Sequence, residues 1–346
     1  MSTGKTKDTM HYLITGHTGF KGAWLSLLLG ERGHTVSGIS LNPEEDALFT
    51  RVNAAEYLEN DIRCDIRESK KLESYFKDVN PDVVIHLAAQ ALVRESYKNP
   101  IETFETNVIG TLNVLKASQQ IGNLKAQLII TTDKVYKNLS KETGYLETDA
   151  LGGHDPYSAS KAMADIAAQA WISSFENPPT AIARAGNVIG GGDVCADRLM
   201  PDLIHSYSTG SIPKLRAPNS VRPWQHVLDC LNGYLLLIDG VLDGTATGEW
   251  NFGPDEKEIK TVANVAEIAG SIWGMEKKWE LDEGAHPHEA SLLTLNSEKA
   301  RTKLGWNDKL DFKDSVTWTT SWYLNVSQGR DPLEETLRNI QEFESR

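Results

Sequence analysis

The sequence predicts an α/β protein built on a doubly wound parallel sheet, with a smaller lobe formed mainly by the C-terminal part of the chain. Short apolar runs typical of strands alternate with helical patterns from about residue 10 to residue 186. Such alternation is typical of parallel strands joined by crossover helices. Beyond residue 187 the sequence changes to glycine-rich and tryptophan-rich segments with short helical patterns, which indicates a second lobe.

The predicted elements of the first part follow one another regularly along the chain. The strands, in order, are HYLITG, TVSGISL, DVVIHLAA, AQLIITT and TAIARAGNV. The helices among them are FKGAWLSLLLGERG, SKKLESYFKDV, IETFETNVIGTLNVLKASQQIG and YSASKAMADIAAQAWISSF. Each strand candidate is a short apolar run, and each helix candidate repeats its apolar residues with a helical period.

The second lobe is expected to be interleaved with the sheet domain. We expect residues 10–186 to form the sheet domain and the chain to return to it at about 226–252, through RPWQHVLDCLNGYLLL. Residues 187–225 and 253–346 then form the smaller lobe, without one linear boundary. With 346 residues, of which 40% are hydrophobic, the chain is long enough to bury a substantial core.

Composition excludes several classes of protein. A net charge of -13 without a long basic run argues against a general nucleic-acid surface, because such surfaces cluster Lys and Arg. Cys64, Cys195 and Cys230 are scattered, which fits a reducing compartment better than a disulfide framework. The N-terminal MSTGKTKDTM lacks the apolar core of a signal peptide, and no run of about 18 apolar residues indicates a membrane span. We therefore expect a cytoplasmic protein that binds neither nucleic acid nor membrane.

The first chemical motif is ITGHTGFKG, which places Gly16, Gly19 and Gly22 directly between a strand and a helix. Glycines in this position permit a tight turn and let backbone N–H groups approach a pyrophosphate at the helix N-terminus. A glycine repeat alone also fits a purely structural turn. Its place after the first strand favours a dinucleotide-binding site in a Rossmann domain.

The acidic residue that commonly binds the adenine ribose is missing at the end of the second strand. Ser40 occupies that position, so the sequence there does not secure NAD over NADP. The nearby acids at 44–46 are better read as solvated loop charges. Asp65 and Ile66, in RCDIRE, are candidates to flank the adenine, although an exposed loop acid fits Asp65 nearly as well.

Two further motifs supply groups for proton transfer. In YSASKAMAD, Tyr157 and Lys161 lie four positions apart on a predicted helix and so share one face. An ammonium near a phenol lowers the pKa of the phenol, which suits a general base. In LIITTDKVYKN, Asp133 and Lys134 end a strand directly after Thr132. They are either solvated strand-end charges or groups that face a ligand, because ligands bind at the carboxyl ends of parallel strands.

These segments together resemble the extended short-chain dehydrogenase/reductase family that acts on nucleotide sugars. The likeness spans nearly the whole chain and is carried by GHTGFKG, NVIGT, TTDKVY, YSASK, RAGNVIGGGD, RPWQHV, NFGP and HPHEA. DKVY and RPWQHV are the most discriminating, and they resemble the 4,6-dehydratases of the family in the branch that uses CDP-glucose. Relatives that use dTDP-glucose usually carry Asp-Glu in place of Asp133-Lys134, and simple 4-epimerases carry neither pair.

The resemblance implies roles for five residues. Tyr157 would remove the proton from the sugar 4-hydroxyl with support from Lys161, while Thr132 would hydrogen-bond to the same oxygen. Lys134 would then take the proton from carbon 5, and Asp133 would protonate the departing 6-hydroxyl. Two other functions stay open: a dehydratase or epimerase that acts on another nucleotide-hexose, and a noncatalytic dinucleotide-sensing or scaffold protein.

NAD is the expected cofactor and a nucleotide sugar, CDP-glucose, is the expected substrate. The residues expected at the cofactor are Gly16, Thr18, Gly19, Phe20, Gly22, Ser40, Asp65, Ile66, Leu87, Ala88, Ala89, Gln90, Asn107, Thr131, Tyr157 and Lys161. Those expected at the substrate are Arg94, Asn187, Arg198, Arg222 and His288. Arginine forks bind diphosphates well, although a surface or interdomain salt bridge would also explain Arg198 and Arg222. His286 and His288 resemble a metal pair but lack further ligands, so we expect no metal.

Assembly and pathway are expectations from the same resemblance. The helices ETNVIGTLNVLKASQQ and SKAMADIAAQAWISSF carry broad apolar faces. These faces either pack only on their own sheet or form an intersubunit four-helix bundle, as in the resembling family, which implies a homodimer. The product of such an enzyme would serve deoxysugar biosynthesis, with lipopolysaccharide O-antigen as the expected destination.

Overall fold

The structure, a computed structural model, describes residues 9–139, 141, 143–258, 260–284 and 293–346. The strands of these residues are β1 (His11–Thr15), β2 (Thr35–Ser40), β3 (Asn60–Arg63), β4 (Val83–His86), β5 (Ala126–Thr132), β6 (Thr180–Ala185), β7 (Asn187–Ile189), β8 (Lys214–Leu215), β9 (Val221–Arg222), β10 (Trp224–His226), β11 (Gly248–Phe252), β12 (Lys260–Thr261) and β13 (Glu280–Leu281).

The helices surround the strands on both sides. They are α1 (Phe20–Glu31), α2 (Leu48–Arg51), α3 (Ser69–Val79), α4 (Val93–Lys98), α5 (Pro100–Phe104), α6 (Gly110–Gln119), α7 (Pro156–Ser174), α8 (Leu199–Ser208), α9 (Val227–Leu242), α10 (Val262–Trp273), α11 (Glu298–Leu304), α12 (Phe312–Ser327) and α13 (Pro332–Ser345). Short 3-10 turns occupy Ala54–Tyr57, Asp133–Val135 and Glu256–Glu258, and one turn of π-helix, Glu105–Ile109, joins α5 to α6.

Seven strands form one parallel sheet in the order β11, β6, β5, β4, β1, β2, β3. From the middle, the chain winds through β1, β2 and β3 to one edge and through β4, β5 and β6 towards the other. The predicted doubly wound parallel sheet is therefore confirmed. The winding direction changes between β1 and β4, which is the place where open α/β sheets bind their ligands.

Apolar side chains cover both faces of the sheet. On one face α1 and α9 pack against the strands in a cluster that includes Trp24, Leu128 and Leu231. On the other face α3 and α6 contribute to a cluster that includes Phe76 and Val114. Because helices cover both faces, all seven residues of β5 are buried, and such strands are apolar without strict alternation.

After β6 the chain leaves the sheet, contributes to a third apolar cluster, and then returns to the sheet. Helix α9 packs on β5 and β6, and β11 then extends the sheet beside β6. A separate cluster joins α8, α10 and α12 through residues such as Leu203, Val265 and Val316. This arrangement supports the interleaving of a smaller lobe, and the domain boundaries stay a prediction. Within the described ranges no helix combines the length and the apolar character needed to cross a membrane.

Helices α12 and α13 hold the loop that follows β7. The Cβ atom of any residue other than glycine at position 191 would lie 2.1 Å from the Trp322 ring, so the backbone there packs directly on the indole. Trp322 Nε1 donates to the Thr336 hydroxyl on α13 (3.0 Å), and Tyr323 donates to the backbone oxygen of Asp193 (2.7 Å). The position of residues 190–198 therefore depends on the two C-terminal helices.

Candidate active site

The carboxyl end of β5 turns sharply and buries an acid. The strand ends at Thr132, and the following 3-10 turn directs Asp133 inward, where its side chain is 1% exposed. Asp133 Oδ1 accepts hydrogen bonds from the Thr132 hydroxyl (2.9 Å) and from Lys134 Nζ (3.2 Å). Asp133 Oδ2 has no hydrogen-bond partner among the described residues. Solvated strand-end charges do not describe Asp133, because it is removed from water.

Lys134 lies beside Asp133 but closer to the surface. Its side chain is 33% exposed, so it contacts solvent while its partner does not. Burial by itself would lower the pKa of this amine, but the charges of Asp133 and then Tyr157 raise it above its ordinary value. Lys134 therefore carries a proton at neutral pH.

Tyr157 is placed by the N-terminus of α7. Asp155 caps the helix by accepting from the backbone N–H of Ser158 (2.9 Å), and the Tyr157 N–H donates to the hydroxyl of Ser96 on α4 (3.1 Å). Burial raises the pKa of the phenol above its ordinary value, and the charge of Lys134 and a hydrogen bond with Thr132 offset only part of this rise. The phenol thus faces the strand-end groups, as the sequence predicts.

Lys161 lies one turn further along α7, with its side chain buried. Its Nζ donates to the backbone oxygen of Ile130 (2.8 Å). Burial, together with the charge of Lys21, lowers the pKa of Lys161 to about 8. Among the cations that act on Tyr157, Lys134 has the largest lowering effect on the pKa of the phenol. The role of Lys161 beside a bound cofactor stays a prediction.

A third lysine reaches this site from the glycine turn. Lys21, on the first turn of α1, donates to the hydroxyl of Tyr234 (3.3 Å), and burial lowers its pKa. Its charge acts on Lys161. The sequence reasoning used the glycines of GHTGFKG and overlooked this residue. A lysine within the predicted first turn of a buried helix was the available signal.

The glycine turn has the geometry that a pyrophosphate requires. Gly16 adopts a φ of 81°, and its N–H donates to the backbone oxygen of Ile39 (2.8 Å). A Cβ atom at Gly22 would lie 2.2 Å from the Gly16 oxygen, so α1 begins in direct contact with the turn. At Gly19 a Cβ atom would meet only the Gly16 oxygen, at 3.4 Å. The turn therefore leaves open space at Gly19, which fits a dinucleotide phosphate.

The predicted adenine end of the site contains hydroxyls and a paired acid. Ser40 is buried, and its hydroxyl shares a hydrogen bond with that of Thr18 (2.6 Å). Asp65 accepts from Arg67 Nε (2.9 Å), and although burial raises the pKa of Asp65, its bonds to Arg67 lower it overall. Ile66 is buried against α6. The contact of Asp65 and Ile66 with adenine stays a prediction.

Asn107, on the π-helical turn, holds the segment after β4 in place through hydrogen bonds. Asn107 accepts from the backbone N–H of Gln90 (2.8 Å) and donates to the Gln90 oxygen (3.0 Å) and to the Ser160 hydroxyl (2.8 Å). The Ala88 backbone would lie within 2.7 Å of a Cβ atom at Gly16. The remaining residues of the predicted cofactor site, Leu87, Ala89, Thr131 and Phe20, lie on the same strand ends and the start of α1.

The candidate substrate residues lie in and around the smaller lobe. Arg198 donates to Asp193 (2.8 Å) and Arg94 to Asp197 (2.7 Å), so carboxylates hold both side chains. For Arg198 this agrees with the alternative of a salt bridge, and phosphate binding by both residues stays a prediction.

The other substrate candidates differ in how the structure places them. Arg222 donates to its neighbouring backbone oxygen (2.9 Å), and its charge acts on Lys134. Asn187 Oδ1 is buried without a hydrogen-bond partner in the described part of the chain. His286 and His288 lie outside the described residues. Among the residues that are described, no group of three or more His, Cys, Asp or Glu is arranged to hold a metal ion.

The chain matches known proteins over most of its length. A family model described as GDP-mannose 4,6 dehydratase matches residues 13–319 of the chain. The chain belongs to this family. The predicted resemblance to the extended short-chain dehydrogenase/reductases that act on nucleotide sugars is thereby confirmed.

Individual members and solved structures match over nearly the full chain. The chain is 42% identical over 343 residues to CDP-glucose 4,6-dehydratase from Salmonella typhimurium, which covers 96% of this chain and 95% of that protein. It is 27% identical to a probable dTDP-glucose 4,6-dehydratase from Sinorhizobium fredii, with 95% and 97% covered. The crystal structure of dTDP-glucose 4,6-dehydratase from Bacillus anthracis in complex with NAD is 25% identical, with a TM-score of 0.79 over 94% of this chain and 100% of that one.

The glycine turn predicts different effects for two alanine substitutions. Gly22→Ala should lower the free energy of unfolding by about 3 kcal/mol, because the new methyl group overlaps the backbone. Gly19→Ala should change it by less than about 0.5 kcal/mol, since φ is -75° there and no neighbour is overlapped. It should nevertheless weaken NAD binding at least about tenfold, because the methyl group lies where the pyrophosphate approaches.

Urea unfolding and an equilibrium titration with NAD measure the two effects separately. Each variant is the control for the other, because both change glycine to alanine within one turn. If Gly22→Ala is as stable as the unsubstituted chain, or if Gly19→Ala binds NAD as tightly, this description of the turn is contradicted.

Proposed function

We propose that this chain converts CDP-D-glucose to CDP-4-dehydro-6-deoxy-D-glucose and water, as an NAD-dependent nucleotide-sugar 4,6-dehydratase. The observation that carries the proposal is the ion pair of buried Asp133 with partly exposed Lys134, beside Thr132 and Tyr157. Oxidation at carbon 4 needs one general base, which Tyr157 supplies. Loss of water across carbons 5 and 6 needs a further acid and base, and this pair supplies both.

The first step is oxidation at carbon 4. Bound NAD supplies the acceptor for the hydride from carbon 4 and later the donor for carbon 6. Tyr157 takes the proton of the 4-hydroxyl, and the positive charge of Lys134 favours the phenolate that this requires. Thr132 hydrogen-bonds to the same sugar oxygen. Lys161 lies on the same helical face, beside the expected cofactor.

The second step is elimination, and the pair is arranged for it. The ketone at carbon 4 acidifies the proton on carbon 5. Lys134 holds a proton before the reaction, and Asp133 Oδ1 is 3.2 Å from its Nζ. Transfer of that proton leaves a neutral amine and a carboxylic acid. The amine then takes the proton from carbon 5 while Asp133 protonates the departing 6-hydroxyl, so the pair returns to its initial charges.

CDP-glucose is the proposed substrate on the strength of the relatives. The Salmonella typhimurium protein that is 42% identical to the chain bears that substrate in its name. The substrate-side arginines support an anionic ligand, because the charge of Arg222 acts on Lys134 and that of Arg198 acts on Tyr157. A cytoplasmic location and the supply of deoxysugars for O-antigen stay predictions from the resemblance.

The first test is a substrate panel. We expect a 4-keto-6-deoxy product from CDP-glucose with a kcat/KM at least about tenfold above that for dTDP-, GDP- and UDP-hexoses, a difference of about 1.4 kcal/mol. A preference for another nucleotide would move the proposal to that substrate. A 4-epimer as the product would contradict dehydration, and binding of NAD without turnover of any sugar would favour the dinucleotide-sensing alternative.

Replacement of Lys134 separates elimination from oxidation. Lys134→Met keeps much of the apolar length and removes the amine, so product formation should fall roughly a hundred- to ten-thousandfold, the usual contribution of acid–base assistance. Oxidation at carbon 4 should be affected much less, and reduced cofactor should therefore accumulate. A single-turnover experiment that follows cofactor absorbance and 4-keto-6-deoxy product together measures both. If Lys134→Met forms product at the unmodified rate, the lysine has no part in elimination.

The chain is further proposed to act as a homodimer. Exposed apolar side chains form a surface on α5, the π-helical turn and α7, with Ile101 71%, Ile109 49%, Met163 49% and Ile166 51% exposed. A continuous apolar surface on two neighbouring helices fits an intersubunit four-helix bundle with a second copy. Sedimentation should give the mass of two chains, and Met163→Asp should shift it towards one. An unmodified chain that sediments as a single copy at micromolar concentration contradicts the dimer.

A further inference from the structure

Asp165 lies on the same face of α7 as Tyr157 and Lys161. Tyr157, Lys161 and Asp165 follow one another at intervals of four along α7, which places them on one side of the helix. Asp165 is fully buried, with 0% of its surface exposed. We propose that Asp165 is a positioning residue for hydride transfer, which holds the Tyr157–Lys161 face of α7 against the end of β5. This inference rests on the proposed function.

Both carboxylate oxygens of Asp165 are bonded to neighbouring strands. Thr131, the residue before Thr132 on β5, donates its hydroxyl to Asp165 Oδ2 (2.9 Å). Arg184 on β6 binds both oxygens, with Nε donating to Oδ2 (2.8 Å) and Nη2 to Oδ1 (2.7 Å). A bidentate guanidinium fixes the direction of a carboxylate as well as its distance. Helix α7 is therefore fixed to two strands at this one side chain.

The Arg184 guanidinium also contacts residues that follow the turn at the end of β5. Arg184 Nη1 donates to the hydroxyl of Tyr136 (2.9 Å) and to the backbone oxygen of Glu147 (3.0 Å). Tyr136 follows the Asp133–Val135 turn directly. The Asp165–Arg184 pair thus contacts the residues on both sides of Thr132, Asp133 and Lys134, and it holds this segment and α7 in one arrangement.

Stability alone does not explain the pair. A buried ion pair contributes little net stability, because the loss of hydration offsets the attraction, and apolar side chains of similar volume often do as well. The Arg184 and Asp165 side chains are 1% and 0% exposed, so both are fully dehydrated. Their hydrogen bonds to Thr131 and Tyr136, which flank the reacting groups in the sequence, account for a pair at this place.

The charge of Asp165 also acts on Lys161. Burial and the charge of Lys21, from α1, lower the pKa of Lys161, and Asp165 opposes them, with the result at about 8. From β4, His86 faces the same lysine but stays neutral, because burial lowers its pKa to about 3. From β6, Arg184 lies against Asp165 itself. Removal of the Asp165 charge therefore lowers the pKa of Lys161 further, and the lysine loses its proton at a lower pH.

The test compares two Asp→Asn substitutions in ion pairs. Asp165→Asn removes the proposed positioning charge. Asp308→Asn is the matched control, because Asp308 pairs with Arg301 (2.7 Å) and is 12% exposed, and it lies outside the proposed catalytic and binding residues. Oxidation at carbon 4 with CDP-glucose is measured in single turnovers from pH 6 to about 9.5, across the range in which a lysine with a perturbed pKa titrates.

We expect Asp165→Asn to lower the rate of oxidation about ten- to a hundredfold, the size of effect that small misplacements of reacting groups produce. The KM for the sugar should change less than the rate, and the fall of the rate at alkaline pH should begin at a lower pH than in the unmodified chain. Asp308→Asn should retain both the rate and the profile. If the two variants have the same rate and pH profile, the positioning role is wrong.

A charge-free variant covers the case in which Asp165→Asn does not fold. Asp165→Asn with Arg184→Met removes both buried charges and should fold, with the same slow oxidation and shifted profile. Unmodified oxidation in this folded double variant overturns the inference. The unmodified chain separates the two hypotheses: if it forms no 4-keto product from any sugar, the proposed function fails, whereas an active unmodified chain with an equally active double variant removes only the role of Asp165.

Discussion

A carboxylate that has been taken out of water determines the arrangement around the end of β5. Asp133 is fully buried, and a buried charge requires hydrogen-bond donors and a counter-charge. Thr132 and Lys134 supply them at one oxygen, which places a hydroxyl and an ammonium beside Tyr157. The second oxygen faces Gly186, where a Cβ atom would lie 3.5 Å from it and 2.8 Å from the Pro223 ring. Glycine at position 186 therefore lets the Pro223 ring and the Asp133 carboxylate pack close to the backbone at the end of β6.

The sheet could be predicted from sequence because its signals are local and repeated. Strands buried on both faces are short apolar runs, and the crossover helices between them repeat with the helical period. The long pattern from Ile101 to Gly122 read as one helix, whereas the chain forms α5, a π-helical turn and α6. A π-helical turn is defined by its backbone hydrogen bonds and lies within an otherwise α-helical stretch. The pattern of apolar residues therefore did not indicate it.

The site was only partly predictable, because several of its interactions join distant parts of the chain. Motif spacing places Tyr157 and Lys161 on one face, since that depends on four consecutive helical residues. The partners of the arginines depend on tertiary structure: Arg94 meets an acid 103 positions away. The effect of Lys134 on the phenol and the entry of Lys21 into the pocket likewise follow from how α1, α7 and the β5 turn pack together.

The contact between Tyr323 and the loop at 190–198 also has a consequence for synthesis on the ribosome. The hydroxyl of Tyr323 reaches back 130 positions to Asp193, which in turn holds Arg198. The ribosome adds about 5–20 residues per second, so roughly ten seconds separate the synthesis of the loop from that of its support. At the start of that interval strands β1 to β6 have already been synthesised. The loop that carries Arg198 still lacks the residues that hold it.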